Sequence, residues 1–299
     1  MDKPRFLLVS ELTNDFNNNY EEVRNVIHNI NEENYKMSYI YCYALFEGAL
    51  NQFAKTVCYA FPEKVINNDV ANGLKSGELI SLIKSENGIE ELIEFRIRKK
   101  SKNDLLEIIN EYAKITGLDI TKLSFYNKDT LISISRERNN LVHAHTLANT
   151  DCYHIRIKHE YIKIGEAKKY LEFLESFMEE ILKNIAEKYS DYTFKKLFEN
   201  SVEYTLSDCR GYKFYKIVDG KYTLDLDNCK TLSKILSGGE RYVLGWWMYL
   251  YSDSIGEMYG INIFKKVSYL DEGTIEKIRF IKEFGKKFPF VLDGQKADY

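Results

Sequence analysis

The sequence predicts a mainly α protein, in which an N-terminal helical bundle is followed by a smaller α+β domain. In the first part of the chain, apolar residues recur every three or four positions, which is the period of an amphipathic helix. After residue 190 the pattern changes, because two apolar and aromatic runs between Tyr212 and Leu226 flank Asp219-Gly220, a β-hairpin signal. We therefore assign residues 1–190 to the bundle and residues 191–299 to the second domain.

Composition and charge are those of an ordinary globular protein. Of 299 residues, 44% are hydrophobic and 29% are charged, and the formal net charge is −3. This balance argues against a protein that coats nucleic acid without specificity, although it is compatible with a local basic cleft. The five cysteines form no CxxC pair, no signal peptide is evident and no apolar run is long enough to span a membrane. We therefore expect a cytoplasmic protein with free thiols and no membrane partner.

Five helices are predicted in the bundle, over residues 11–31, 33–61, 103–116, 130–147 and 165–189. The second contains Glu47 inside a wide apolar stripe. Its carboxyl is either solvated at the edge of the stripe or buried beside an arginine. In the fourth helix, Ile132, Leu141 and Val142 are predicted to face the core. Tyr153 to Lys158 alternates in polarity and is a strand or the start of a helix.

In the second domain, the hairpin is followed by a helix that begins near Leu236 and is rich in aromatic residues. Val267 to Glu272 is predicted to be a short strand that ends in two carboxylates. A charged helix and a strand-like segment, Phe288 to Leu292, close the chain. Together these elements indicate a mixed α and β domain.

The densest group of chemically useful side chains lies on the fourth helix. Between Ser135 and His145 there are two arginines, two asparagines and two histidines. Arginine offers a fixed fork of charged donors to a phosphate, and histidine gives or takes a proton near neutral pH. Cleavage of an RNA phosphodiester requires both functions. Because Arg138 and His143 lie about 140° apart on an ideal helix, a symmetric partner helix would bring a second such set against the first.

The run Arg138-Asn139-Asn140-Leu141-Val142-His143 resembles the signature of the HEPN superfamily, helical-bundle ribonucleases in which four to six residues separate an arginine from a histidine. Tyr39 to Phe53, with Phe46-Glu47-Gly48, is similar to an early helix of bacterial members. The resemblance covers about residues 15–190. It implies a metal-independent endoribonuclease in which two protomers complete one site, and in which a 2′-hydroxyl attacks the adjacent phosphodiester.

Carried over to this chain, the resemblance gives Arg138 the phosphate, His143 the acid–base role and Asn139 the orientation of the pair. Two other spacings, Arg136 with His143 and Arg138 with His145, have six intervening residues and are also allowed. Arg136 and His145 therefore stay alternative site residues.

Glu47 completes this candidate catalytic set as the partner expected for the arginine. The resemblance further implies an RNA substrate, a homodimer or larger homo-oligomer, and cleavage without a metal or other cofactor. Such a protein fits a toxin with a cognate antitoxin, or an effector of anti-phage defence. Because some family members are inactive, the alternative is a non-catalytic module that dimerises or binds RNA.

Leu236-Ser237-Gly238-Gly239-Glu240 resembles the signature motif of ABC-type ATPases, and Leu270-Asp271-Glu272 follows about thirty residues later, as a Walker B strand would. In that family, amides at a helix N-terminus bind a γ-phosphate and carboxylates hold magnesium. The resemblance implies ATP and Mg²⁺ at Ser237, Gly238, Gly239, Asp271 and Glu272. The chain has no GxxxxGK[ST] loop and no histidine after His159, so a degenerate lobe that senses a nucleotide or docks on a partner ATPase fits better than an autonomous ATPase.

Overall fold

The structure is a computed structural model, and it describes residues 3–64, 88–100, 105–147, 162–207, 211–251, 263 and 270–288. Residues 89, 96–100 and 143–147 are described as helical backbone only. The described residues form ten α-helices, two short 3-10 helices and one two-stranded sheet, which confirms a mainly α fold with a small α+β part. None of these helices is both long enough and apolar enough to cross a membrane. The chain divides into two compact units, one of Val9–Ser190 and one of Met1–Leu8 with Asp191–Tyr299.

The first unit is a helical bundle. Its described helices are α1 (Val9–His28), α2 (Tyr35–Ala60), α3 (Gly88–Lys100), α4 (Leu105–Thr116), α5 (Lys128–Leu147) and α6 (Ile164–Lys188), with 3-10 turns at Pro62–Lys64 and Ile120–Lys122. All five helices predicted from apolar spacing are present, with ends that differ by a few residues.

Helix α2 is central in this bundle, because α1, α3, α4, α5 and α6 all pack against it. Phe46 is fully buried on α2, and its ring centroid lies 5.9 Å from that of Phe177 on α6. On α5, Leu131 and Ile134 are buried whereas Ile132 is 41% exposed. The prediction that Ile132 faces the core was therefore wrong, because successive helical residues point about 100° apart and the buried line runs through its neighbours.

The second unit combines helices with a hairpin. It contains α7 (Phe194–Thr205), β1 (Tyr215–Val218), β2 (Lys221–Leu224), α8 (Leu226–Ile235), α9 (Gly238–Tyr249) and α10 (Glu272–Lys287). The predicted hairpin is confirmed: β1 and β2 pair antiparallel, from Tyr215 opposite Leu224 to Val218 opposite Lys221. Asp219 and Gly220 both have positive φ, 51° and 73°, as a tight two-residue hairpin turn requires.

An aromatic core holds this unit together, and the start of the chain contributes to it. The Phe6 ring centroid lies 4.9 Å from that of Phe280 and also contacts Phe284 and Phe288. Lys287 Nζ donates a 2.7 Å hydrogen bond to the Phe6 carbonyl oxygen. The first eight residues thus belong to the C-terminal unit, whereas the sequence assigned them to the bundle.

The predicted strand at Val267 to Glu272 was wrong at its end. Asp271 is the N-cap of α10 and Glu272 is the first residue of that helix. Residues 264–269 lie outside the described residues, as do the segment 153–158 and residues 289–292 of the last predicted strand. Helices α7 and α8 were not predicted.

Candidate functional site

Helix α5 presents an apolar face to the bundle, and Arg138 lies on that face. Positions 131, 134, 138 and 141 are three or four residues apart and so lie along one side of the helix. Leu131, Ile134 and Leu141 are buried, and Arg138 is half-buried among them. A charged side chain at such a position needs partners on the neighbouring helices.

Tyr43 and Asn139 hold the Arg138 guanidinium in place. Arg138 Cζ lies 5.2 Å from the centroid of the Tyr43 ring, within the range of a cation–π interaction. Arg138 Nη1 donates a 3.0 Å hydrogen bond to Asn139 Oδ1. Arg138 Nε is buried and has no hydrogen-bond partner in the described part of the chain. The ring and the amide therefore hold the guanidinium in one orientation.

Glu47 lies one turn after Tyr43 on α2 and is half-buried. Burial raises the pKa of the Glu47 carboxyl above its ordinary value, and the positive charge of Arg138 offsets part of this rise. Glu47 therefore interacts electrostatically with Arg138, the arginine expected to be its partner. A carboxyl with a raised pKa keeps its proton to a higher pH, which is a property of general acids.

The polar line on α2 continues to Asn51, four residues after Glu47. The Tyr112 hydroxyl of α4 donates a hydrogen bond to Asn51 Oδ1. Burial raises the pKa of Tyr112, and the nearby Glu47 charge adds to this rise. Sequence reasoning missed Tyr43, Asn51 and Tyr112, although a four-residue spacing of polar groups on either side of Glu47 was the available signal.

Arg136 lies on the outer side of α5. Its side chain is 68% exposed, and Arg136 Nε is 3.6 Å from Glu137 Oε1, an ion pair of small energetic value at an open surface. Ile132 and Asn139 are also exposed, four residues before and three residues after Arg136. These three residues form an outer line of α5 that ends one turn before His143.

The backbone of α5 continues as helix through positions 143 and 145, whose side chains lie outside the described residues. Around the helix axis, position 143 lies about 20° from position 136 and about 140° from position 138. Position 145 lies about 20° from position 138. The line of positions 131, 134, 138 and 141, called the inner line from here on, thus continues to position 145, and the outer line continues to position 143. Positions 138 and 143 belong to different lines.

In the C-terminal unit, the residues of the ABC-like motifs cap two helices. Ser237 Oγ accepts a hydrogen bond from the Glu240 amide, and the Ser237 amide donates a 2.8 Å hydrogen bond to Glu240 Oε2, which makes a complete capping box at α9. Asp271 Oδ1 accepts a 2.8 Å hydrogen bond from the Thr274 amide, and Thr274 Oγ1 donates to Asp271 Oδ2 over 2.8 Å. These hydrogen bonds lower the pKa of the Asp271 carboxyl.

The structure brings the two capped termini together. A Cβ atom added to Gly239 would lie 3.0 Å from Thr274 Oγ1, and one added to Gly285 would overlap the Leu250 side chain. Helices α9 and α10 therefore pack in parallel, with both N-termini at the same end. Ser237, Gly238, Gly239, Asp271 and Glu272 thus lie at adjacent helix starts, where the sequence had placed Asp271 and Glu272 at the end of a strand.

No family model matches the chain, and no match was found among the curated proteins or among the solved structures.

Proposed function

We propose that this chain is an endoribonuclease that cleaves RNA without a metal ion, at a site completed by two copies of α5. The observation that supports it best is the grouping of Arg138, Asn139, Tyr43 and Glu47, in which a half-buried arginine is oriented by a ring and an amide and accompanied by a carboxyl of raised pKa. An oriented guanidinium is suited to a phosphodiester, because its fork of donors matches phosphate oxygens.

In the proposed reaction, the 2′-hydroxyl oxygen forms a bond to the adjacent phosphorus and the bond to the 5′-oxygen breaks. The products are a 2′,3′-cyclic phosphate and a free 5′-hydroxyl. Arg138 binds the phosphate and stabilises its developing charge, and Asn139 orients the guanidinium. His143 transfers the proton to or from the reacting oxygens, with His145 as the alternative on the inner line of α5.

The test is cleavage of an end-labelled RNA by the purified full chain in excess EDTA. We expect Arg138→Ala and His143→Ala each to slow cleavage by roughly 100-fold or more, the usual contribution of acid–base and charge-stabilising groups. Arg136→Ala and His145→Ala test the alternative assignments, and each should slow cleavage by less than about tenfold if Arg138 and His143 are the reacting residues. If these two variants lose more than Arg138→Ala and His143→Ala, the assignment of the reacting residues is wrong. Cleavage that EDTA abolishes would contradict the proposal itself.

A site shared by two protomers has a separate test. When wild type and Arg138→Ala are mixed in equal amounts and allowed to exchange subunits, a quarter of the dimers carry two intact copies. We therefore expect activity of roughly one quarter of that of wild type at the same total concentration. Activity near one half would contradict a single site that requires Arg138 from both protomers.

For the cellular role, we propose a cytoplasmic toxin or anti-phage effector held in check by an antitoxin or another partner. The alternative is a non-catalytic bundle that dimerises or binds RNA and whose C-terminal unit docks on a partner ATPase. That alternative predicts RNA binding or dimerisation without cleavage, and co-purification with a protein that carries a phosphate-binding loop. ATP and Mg²⁺ at the C-terminal motifs stay a prediction.

A further inference from the structure

The C-terminal unit contains a cavity of about 840 Å³ at which the start of the chain meets the start of α7. Lys3, Arg5 and Lys196 contribute three cationic groups to its wall, and Asp191 contributes the one carboxylate. Tyr192 adds an aromatic ring and a hydroxyl, and three apolar residues and an amide complete the lining. A volume of this size is typical of sites for small molecules.

The positive charge of this cavity is local, because the chain as a whole has a formal net charge of −3. Carboxylates lie beside the two lysines: Lys196 Nζ pairs with Asp191 Oδ1, and Lys3 Nζ is 3.7 Å from Glu283 Oε2. All four side chains are about half-exposed or more. Exposed pairs of this kind contribute little energy, so an anion with several oxygens can displace the carboxylates.

The first turn of α7 gives an independent reason to expect an anion. A helix N-terminus carries a partial positive charge and is stabilised by acidic residues. Helix α7 has none in its first turn, and its second and third residues are Lys195 and Lys196. Thr193 caps the Lys196 amide but brings no negative charge. Asp191, two residues before this N-cap, supplies the carboxylate that pairs with Lys196. A bound anion would take the place of that exposed carboxylate at the start of the helix.

We propose that this cavity binds a nucleotide, with its phosphates held between Lys196, Arg5 and Lys3 at the N-terminus of α7. The volume is much larger than one phosphate needs, and Tyr192 is an aromatic residue of the wall against which a base can pack. The site is formed by other residues than Ser237 to Glu240 and Asp271-Glu272, and it does not depend on RNA cleavage by the bundle.

The test is calorimetric titration of the full chain with ATP, AMP, inorganic phosphate, adenosine and a short RNA. We expect ATP to bind more tightly than AMP, phosphate to compete with both, and adenosine to give no binding. Lys196→Gln and Arg5→Gln should each weaken ATP binding by roughly three- to tenfold, since each removes a charged hydrogen-bond donor at a partly exposed site. Lys195→Gln, next to Lys196 but outside the cavity wall, is the matched control and should change it less than about twofold. Glu272→Gln, at the ABC-like motif, separates binding in the cavity from binding at that motif.

The proposal is overturned if no phosphate compound binds at about 5 mM, or if adenosine binds as well as ATP. It is also overturned if Lys195→Gln weakens binding as much as Lys196→Gln, or if Glu272→Gln abolishes it. Tighter binding of RNA than of mononucleotides, with the same dependence on Lys196, would identify the cavity as an RNA site instead. The unfolding midpoint of each variant is measured as well, so that loss of binding can be distinguished from loss of fold. Arg5→Gln is the second cavity variant in case Lys196→Gln does not fold.

Discussion

Arg138 occupies a place in the buried line of α5 that an apolar residue would ordinarily take. Its charge is compensated by the Tyr43 ring, the Asn139 amide and the carboxyl of Glu47. Glu47 has a raised carboxyl pKa, because burial raises this pKa more than the charge of Arg138 lowers it. The stability of the bundle should therefore depend on the protonation of Glu47.

We predict that Glu47→Gln changes the pH dependence of unfolding. The pKa of Glu47 in the folded chain is raised above its ordinary value of 4.5, so the folded chain binds this proton more tightly than the unfolded chain. The stability gained from the proton is complete below the unfolded pKa and is lost as pH rises through the folded pKa. Glutamine does not titrate, so the unfolding free energy of Glu47→Gln should rise relative to wild type as the pH increases above the ordinary carboxyl pKa of 4.5.

Urea unfolding at several pH values, followed by far-ultraviolet circular dichroism, measures this difference. Glu172→Gln is the control, because Glu172 is exposed on α6 and its replacement removes a charge without altering a buried group. A difference between Glu47→Gln and wild type that stays constant or shrinks toward neutral pH would contradict the prediction.

Helix capping and close packing of α9 against α10 explain the motifs near Ser237 and Asp271. Both residues satisfy free amides at helix starts, and Gly239 and Gly285 allow α9 and α10 to approach each other. The segment Val267 to Glu272 has a sequence pattern that fits two structures, a strand that ends in two carboxylates and a helix that starts at an N-cap. A short apolar run does not distinguish between them.

Ser237→Ala should lower the unfolding free energy of the C-terminal unit by about 1 kcal/mol, whereas Ser237→Asp, which is also a good N-cap, should preserve it. Both tryptophans of the chain lie in α9, so tryptophan fluorescence in urea reports on this unit. Ser233→Ala is the control, because Ser233 lies inside α8 and alanine is favourable there. Equal losses for Ser237→Ala and Ser237→Asp would indicate that the hydroxyl does more than cap α9.

The helices of the bundle were predictable because apolar spacing is a local property of the chain. Helix α7 has the same spacing at Phe194, Leu197 and Phe198 but was not predicted. Helix α8 was not predicted because it begins at Leu226, only two residues after the end of β2 at Leu224. Asp225 ends that strand, because its carboxylate caps α8 by accepting a 3.0 Å hydrogen bond from the Asn228 amide.

Within the candidate site, the group on α5 and the carboxyl of Glu47 could be identified from local sequence. The position of Tyr43 beneath Arg138 could not, since it depends on the register between α2 and α5. Contacts of that kind join residues far apart in the chain, and local spacing does not specify them.

Among the described residues, a contact between very widely separated positions of the chain joins its first residues to α10. The Phe6 carbonyl accepts its hydrogen bond from a residue 281 positions later, and the Phe6 ring lies among three aromatic rings. Because Val9 begins α1 directly after this segment, the chain passes between the two units twice, after Leu8 and after Ser190. The C-terminal unit is therefore formed by two separate segments of the chain, and the bundle lies between them in the sequence.

Phe6→Ala should destabilise the C-terminal unit selectively, although Phe6 precedes the bundle in the chain. Loss of a buried ring costs about 3–5 kcal/mol, and we expect about 2–3 kcal/mol here because Phe6 is partly buried. The measurement is the urea midpoint followed by tryptophan fluorescence, since Trp247 is fully buried in the same aromatic core. Phe125→Ala, at an exposed phenylalanine of the bundle, is the matched control and should leave this midpoint unchanged. A shift of the tryptophan midpoint by Phe125→Ala but not by Phe6→Ala would contradict the assignment of the first eight residues to the C-terminal unit. A shift by Phe6→Ala alone would show that these residues stabilise that unit.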